Sequence, residues 1–190
     1  MNRELLIIAV TTPNFFKEEA EKINLILNNK EAHYIHIRKP GSSIYETDRL
    51  ISNINPKFHP LLKLHDHFEL LDKYNLGGIH LNSRNKKIHP QAKSLSISLH
   101  DINEIEGKER YDYFFISPVF DSISKEGYKA SFDLKQLSQK IRGKKAIALG
   151  GVTPDKFPLL RSLGFYGAAL LGHFFPPTSP SSNSPQTLKP

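Results

Sequence analysis

Short, nearly continuous apolar runs recur along the chain at Leu5–Thr11, His33–Arg38, Pro60–His65, Gly78–Leu81, Leu95–His100, Tyr111–Ser117, Lys145–Gly150 and Tyr166–Leu171. Runs of that length and continuity fit strands buried on both faces of a parallel sheet. Between them the period changes. Phe16, Ala20, Ile23 and Leu27 fall on one stripe of a helix over Phe15–Asn28. Phe68–Tyr74, Ser131–Ile141 and Thr153–Leu163 read as further crossover helices. The last opens with Thr153 as N-cap and Pro154 at the first helical position, while Pro158 predicts a distorted start. Strands alternating with crossovers in this number predict an α/β chain closed as a short (β/α)8 TIM barrel. The rival, a doubly wound open sheet, lacks its G-x-G-x-x-G after the first strand. The barrel is expected over residues 1–175. From Pro176 the run Pro-Pro-Thr-Ser-Pro-Ser-Ser-Asn-Ser-Pro predicts a disordered tail, 176–190, where the last barrel helix would stand.

Composition narrows the class. With 190 residues, 38% of them hydrophobic, the chain suits one domain with a packed core. No cysteine is present, which removes disulfides, thiolate metal sites and a cysteine nucleophile. The longest apolar run, Leu5–Val10, is too short to span a bilayer or act as a signal segment, so a cytoplasmic protein with no membrane partner is expected. The formal charge of +7 comes from scattered residues. Its densest groups, Arg84-Asn85-Lys86-Lys87 and Arg142-Gly143-Lys144-Lys145, are short and read as solvated surface charge. Without a zinc-finger spacing or an RNA-binding motif, no nucleic-acid partner is expected. A basic surface of this kind does attract small phosphorylated substrates.

In a parallel barrel, polar residues at the C-terminal strand ends are the functional candidates. The second strand ends in His36-Ile37-Arg38, with His36 and Arg38 on one face by alternation. The third ends in His65-Asp66-His67, the fourth carries His80, and the fifth ends in Ser98-Leu99-His100. Lys125 follows the sixth, Gly150-Gly151 the seventh and Gly172 the eighth. Taken singly, each is more readily a structural histidine, a solvated pair or a tight turn. Their convergence on one rim points instead to an anionic ligand and general acid–base chemistry. Gly150-Gly151 before a helix start predicts a phosphate cradle. His65, Asp66, His67, His80 and His100 also offer zinc-type ligands. Because His67 starts a helix and points away, tightly held zinc is not expected, and a magnesium site is one ligand short.

These residues, taken in order, resemble the thiamine phosphate synthase/TenI family. Tyr34-Ile35-His36-Ile37-Arg38-Lys39-Pro40 is similar to its Val-Gln-Phe-Arg-Glu-Lys segment, Leu64-His65-Asp66-His67 to its Asn-Asp-Asp turn, and Gly77-Gly78-Ile79-His80-Leu81 to its Ala-Asp-Gly-Val-His-Leu strand. Ser96-Ile97-Ser98-Leu99-His100 resembles Gly-Val-Ser-Val-His. Ser117-Pro118-Val119-Phe120-Asp121-Ser122-Ile123-Ser124-Lys125 resembles Gly-Pro-Val-Phe-Pro-Thr-x-Thr-Lys, and Ala148-Leu149-Gly150-Gly151-Val152-Thr153 the Gly-Gly phosphate loop.

The resemblance implies two activities. Synthases join hydroxymethylpyrimidine diphosphate to a thiazole phosphate with magnesium; the TenI branch includes a tautomerase that moves a proton on a thiazole carboxylate phosphate. In this chain the family's diphosphate-binding lysine is Pro40, its partner glutamine is His36, and a second magnesium aspartate is Asn85. The expectation is therefore a TenI-like thiazole tautomerase of thiamine biosynthesis that needs no cofactor. His100 would give and take the proton, Arg38 would orient a carboxylate, and Lys125 would assist Gly150, Gly151 and Gly172 at the phosphate. His36, His65, Ser98, Ser122 and Ser124 would line the substrate site. The alternative is a synthase that also takes the pyrimidine diphosphate, with Asp66 holding magnesium; the third reading is a non-catalytic thiazole-phosphate sensor. A homo-oligomer paired through outer helices is compatible with the pattern.

Overall fold

The computed structural model describes residues 4–121 and 132–175. Eight parallel strands close into a barrel in sequence order: β1 Leu6–Val10, β2 Tyr34–Ile37, β3 Leu62–Leu64, β4 Gly78–Leu81, β5 Leu95–Leu99, β6 Tyr113–Ile116, β7 Ala146–Ala148 and β8 Gly167–Leu170. The pairing of Ile8 with both Tyr34 and Ala169 closes the ring at β1. Each strand lies within one of the apolar runs. The ends are trimmed because the terminal residues of those runs turn outward into the loops.

The helices follow the pattern less evenly. α1 covers Glu19–Asn28, shorter than its apolar stripe, because Glu18 takes a left-handed conformation (φ 65°) that cannot continue a helix. α2, Ile44–Ser52, is a helix that the apolar pattern missed. Its signal was local: Ser43 accepts from the Glu46 N–H while Glu46 reaches back to the Ser43 N–H, a capping box. The stretch expected as a helix over Phe68–Tyr74 is a 3-10 turn, Phe68–Asp72. α3 is Leu134–Ile141. The expected distorted start near Pro158 is a 3-10 turn, Pro154–Lys156, running into α4, Phe157–Leu163. The tail 176–190 lies outside the described residues.

Burial falls into two clusters. The larger lies between the sheet and its outer cover and includes Ile23, Leu27, Ile35, Leu62, Ile79, Leu137 and Leu160. The smaller fills the barrel itself with Ile8, Val10, Tyr113, Phe115, Ile147 and Ala169. A fully buried ion pair ties the first loop to the sheet. Lys39 Nζ donates to both Glu19 carboxylate oxygens at 2.7 and 2.8 Å and to the carbonyls of Thr12 and Asn14. Lys39 is thereby committed to holding the β1–α1 loop. Among the described residues, no helix is long and apolar enough to cross a membrane.

Candidate active site

Alternation along the strands decides what faces the barrel axis. On β2 to β5 it brings in His36, Lys63, His65 just past β3, His80, Ser96 and Ser98; from β6 it brings Tyr113 and Phe115. The registers align them: His36 beside Lys63, His80 beside Ser96, Ser96 beside Tyr113, Ser98 beside Phe115. The His36 ring lies 4.9 Å from Phe115, and that of His80 lies 4.6 Å from it.

The imidazoles form one network. His36 Nδ1 lies 2.9 Å from His65 Nε2, and His36 Nε2 lies 2.8 Å from the Tyr113 hydroxyl. His80 sets its two nitrogens 2.9 Å from Ser96 Oγ and 2.8 Å from Ser98 Oγ. The rings of His65 and His80 stack at 4.2 Å. Burial, reinforced by nearby positive charge, holds all three below the ordinary histidine range: Lys63 acts on His36, and Arg38 on His65 and His80. His80 is lowered to about 3. They are neutral imidazoles. Lys63, lowered by burial to about 8, donates to the Gly77 carbonyl and lies over the Tyr34 ring.

Above this network is the rim. Arg38 is half-buried, its N–H bound to Thr11 Oγ1 at 3.0 Å. His100 follows β5 and is exposed; its Nδ1–H donates to the Ser117 carbonyl at 2.9 Å, so Nε2 is the nitrogen left to face a ligand. His67 points elsewhere, donating from Nε2 to the Ser42 carbonyl. Gly150 and Gly151 are both left-handed, φ 88° and 63°. A Cβ on Gly150 would strike Pro118, and one on Gly151 the Asp121 carbonyl, so the turn requires glycine twice. Its carbonyls are engaged: Gly150 O accepts from the Phe120 N–H, and Gly151 O from Lys156 Nζ. What the turn offers a ligand is its N–H side. Thr153 precedes a 3-10 turn and makes no side-chain cap, so the helix start expected after Gly150-Gly151 is a 3-10 turn rather than an α-helix. Gly172 is exposed with open space around it, and packing does not require glycine there. Ser122, Ser124 and Lys125 lie outside the described residues.

The metal position implied by the resemblance is built differently. Asp66 Oδ1 accepts from Asn85 Nδ2 at 2.8 Å and from Arg84 Nη2 at 3.2 Å. Asn85 Nδ2 and Asn82 Nδ2 also donate to the His65 carbonyl, knitting the β4 loop to the end of β3. A hard divalent cation needs several oxygen ligands. Here one carboxylate is already met by a guanidinium, and the neighbouring amide presents N–H to it. The residues do not fit magnesium.

Alternation alone could have found Tyr113, two residues before Phe115 on the same face. Arg84 was hidden in a charged group read as solvated surface. Only the fold shows that it meets Asp66.

The comparisons agree with this fold. Residues 7–186 match the Thiamine monophosphate synthase family. No curated protein matches the chain. A thiamine phosphate pyrophosphorylase from Bacteroides thetaiotaomicron is 35% identical over 88% of this chain and 83% of its own, with a TM-score of 0.75. One from Pyrococcus furiosus has a TM-score of 0.69 at 18% identity, covering 88% of this chain and 86% of its own. The N-acetylmannosamine-6-phosphate 2-epimerase of Clostridium perfringens has a TM-score of 0.57 at 15% identity, covering 90% and 88%. The last two are likenesses of fold. The chain is a member of the thiamine monophosphate synthase family.

Proposed function

We propose that the protein is an enzyme of the TenI type, a tautomerase that moves a proton on a phosphorylated thiazole carboxylate without a metal. The observation that carries this reading is His100. Its Nδ1–H is fixed on the Ser117 carbonyl at 2.9 Å, which sets the tautomer and leaves Nε2 as the nitrogen that would act on a ligand. A base held this way takes a proton from one atom of the bound ring and returns it to another. Substrate and product are isomers, so no co-reactant is needed.

The remaining roles are those that the family resemblance implies. The N–H groups of the Gly150-Gly151 turn would hold the phosphate, with Lys125 and Gly172 assisting, while Ser122 and Ser124 complete the substrate site. Arg38 would orient the carboxylate. His36, His65 and Ser98 would form the floor beneath the ring. The pairing of Asp66 with Arg84 and Asn85 supports a metal-free reaction.

A second reading, the synthase, is favoured by the description of the Bacteroides neighbour as a pyrophosphorylase. It would take a pyrimidine diphosphate as well. Turnover of both substrate sets, with and without magnesium, separates the two. Metal-independent isomerisation of the thiazole carboxylate phosphate, lost in His100→Ala, is the expected result. Magnesium-dependent formation of thiamine phosphate, abolished by Asp66→Ala, would replace it with the synthase. Binding of thiazole phosphate with neither turnover would leave a sensor.

A further inference from the structure

Three imidazoles from adjacent strands meet inside the barrel, and their own hydrogen bonds do not exhaust what they can do. His36, His65 and His80 are 0%, 5% and 0% exposed. One ring nitrogen from each lies within 4.8 Å of the other two. The nearest pair, His36 Nδ1 and His65 Nε2, is 2.9 Å apart. Two nitrogens on a tetrahedral zinc, each bonded at about 2.0–2.1 Å, sit about 3.3 Å apart. A spread of about 0.4 Å therefore turns this contact into two sides of a coordination tetrahedron.

The proton bookkeeping also works. The facing nitrogens become ligands together when His36 carries its proton on Nε2 and His65 carries its proton on Nδ1. Tyr113 Oη, 2.8 Å from His36 Nε2, is placed to accept that proton's hydrogen bond. Either Ser96 Oγ or Ser98 Oγ can hold the N–H of His80 while its other nitrogen turns to the ion. For His36 and His80 an outer hydroxyl thus takes the part that a second hydrogen-bond partner plays in orienting metal-binding histidines.

We propose that His36, His65 and His80 form a binding site for a borderline divalent cation of the zinc, cobalt or nickel type, inside the barrel and distinct from Asp66. Imidazole donors select such ions over magnesium or calcium. The three ligands bring no negative charge, and Arg38 and Lys63 are within electrostatic reach. The ion's fourth ligand is therefore a small anion such as hydroxide.

The test uses the full-length protein, stripped with a chelator and titrated with Co2+ and then Zn2+. One equivalent of Co2+ should produce the visible absorption of a four-coordinate ion, and Zn2+ should displace it. Long-range 1H–15N spectra of the wild-type protein should show three imidazoles shifting together, which decides the matter even if a variant fails to fold. His65→Gln should weaken Co2+ binding at least about tenfold, and Tyr113→Phe, which removes only the outer hydrogen bond, about 10- to 100-fold. Asp66→Asn should leave it unchanged. The site is refuted by an absence of saturable uptake, by unshifted imidazoles, by binding that survives His65→Gln, or by binding lost in Asp66→Asn.

Discussion

The barrel interior has two unlike halves. From β6 round to β1 the inward side chains Phe115, Ile147, Ala169, Ile8 and Val10 hold their places by volume, and Tyr113 at the seam adds a hydroxyl bond to His36. From β2 to β5 they are His36, Lys63, His65, His80, Ser96 and Ser98, and each is held by direction. Among the described residues, no buried side-chain nitrogen or oxygen lacks a hydrogen-bond partner. The apolar half needs only shape and can be rebuilt by any set of similar volume. The polar half depends on direction, because removing one partner leaves a buried polar group unsatisfied.

The seam between the halves is the most sensitive place. Phe115 packs against the rings of both His36 and His80, so Phe115→Ala should cost about 3–5 kcal/mol in urea unfolding. A loss under about 1 kcal/mol would mean that the halves are not coupled there. Gly151→Ala comes next. The left-handed turn and the Asp121 carbonyl both oppose a Cβ, so at least about 2 kcal/mol should be lost along with phosphate affinity. Gly172→Ala, in open space, should stay within about 0.5 kcal/mol.

Single deletions in the two halves should differ in kind. Ser96→Ala and Ser98→Ala each strip a partner from one His80 nitrogen and should cost about 1–3 kcal/mol. Ile147→Val in the other half should cost about 0.5–1.5 kcal/mol. Equal losses would erase the distinction.

Acid sharpens it further. In the metal-free protein, burial together with Arg38 and Lys63 holds the three histidines below their ordinary range, His80 at about 3. The unfolded chain takes up these protons as pH falls through about 6.5, and the native state does not. Stability is thus undiminished above that pH and declines below it, for His80 down to about pH 3, by up to about 1.4 kcal/mol per unit for each group. Melting curves of His80→Asn should show a shallower decline than wild type between pH 6.5 and 4; parallel curves would place His80 outside the network.

How much of this was legible in the sequence depended on the kind of signal. All eight strands could be read because continuous apolar runs such as Gly78–Leu81 have no competing explanation in a chain with crossovers. α2 was overlooked because its evidence was a cap, Ser43 with Glu46, rather than a stripe. His36 and His65 could be placed on the inner face by alternation, but their mutual contact depends on the register of β2 against β3. Arg84 was not legible at all. A guanidinium reaching back to a carboxylate 18 positions earlier is a property of the closed barrel, not of any local pattern.

The central claim, that His100 moves a proton on a phosphorylated thiazole, is tested most directly by running the reaction in D2O. The thiazole carboxylate phosphate is incubated with chelator-treated protein, and ring protons are followed by NMR. Wild-type protein should show deuterium uptake at the tautomerising position, and His100→Gln should lose that uptake with thiazole phosphate still bound. Uptake that is unchanged in His100→Gln, or that appears only when magnesium is added, would contradict it.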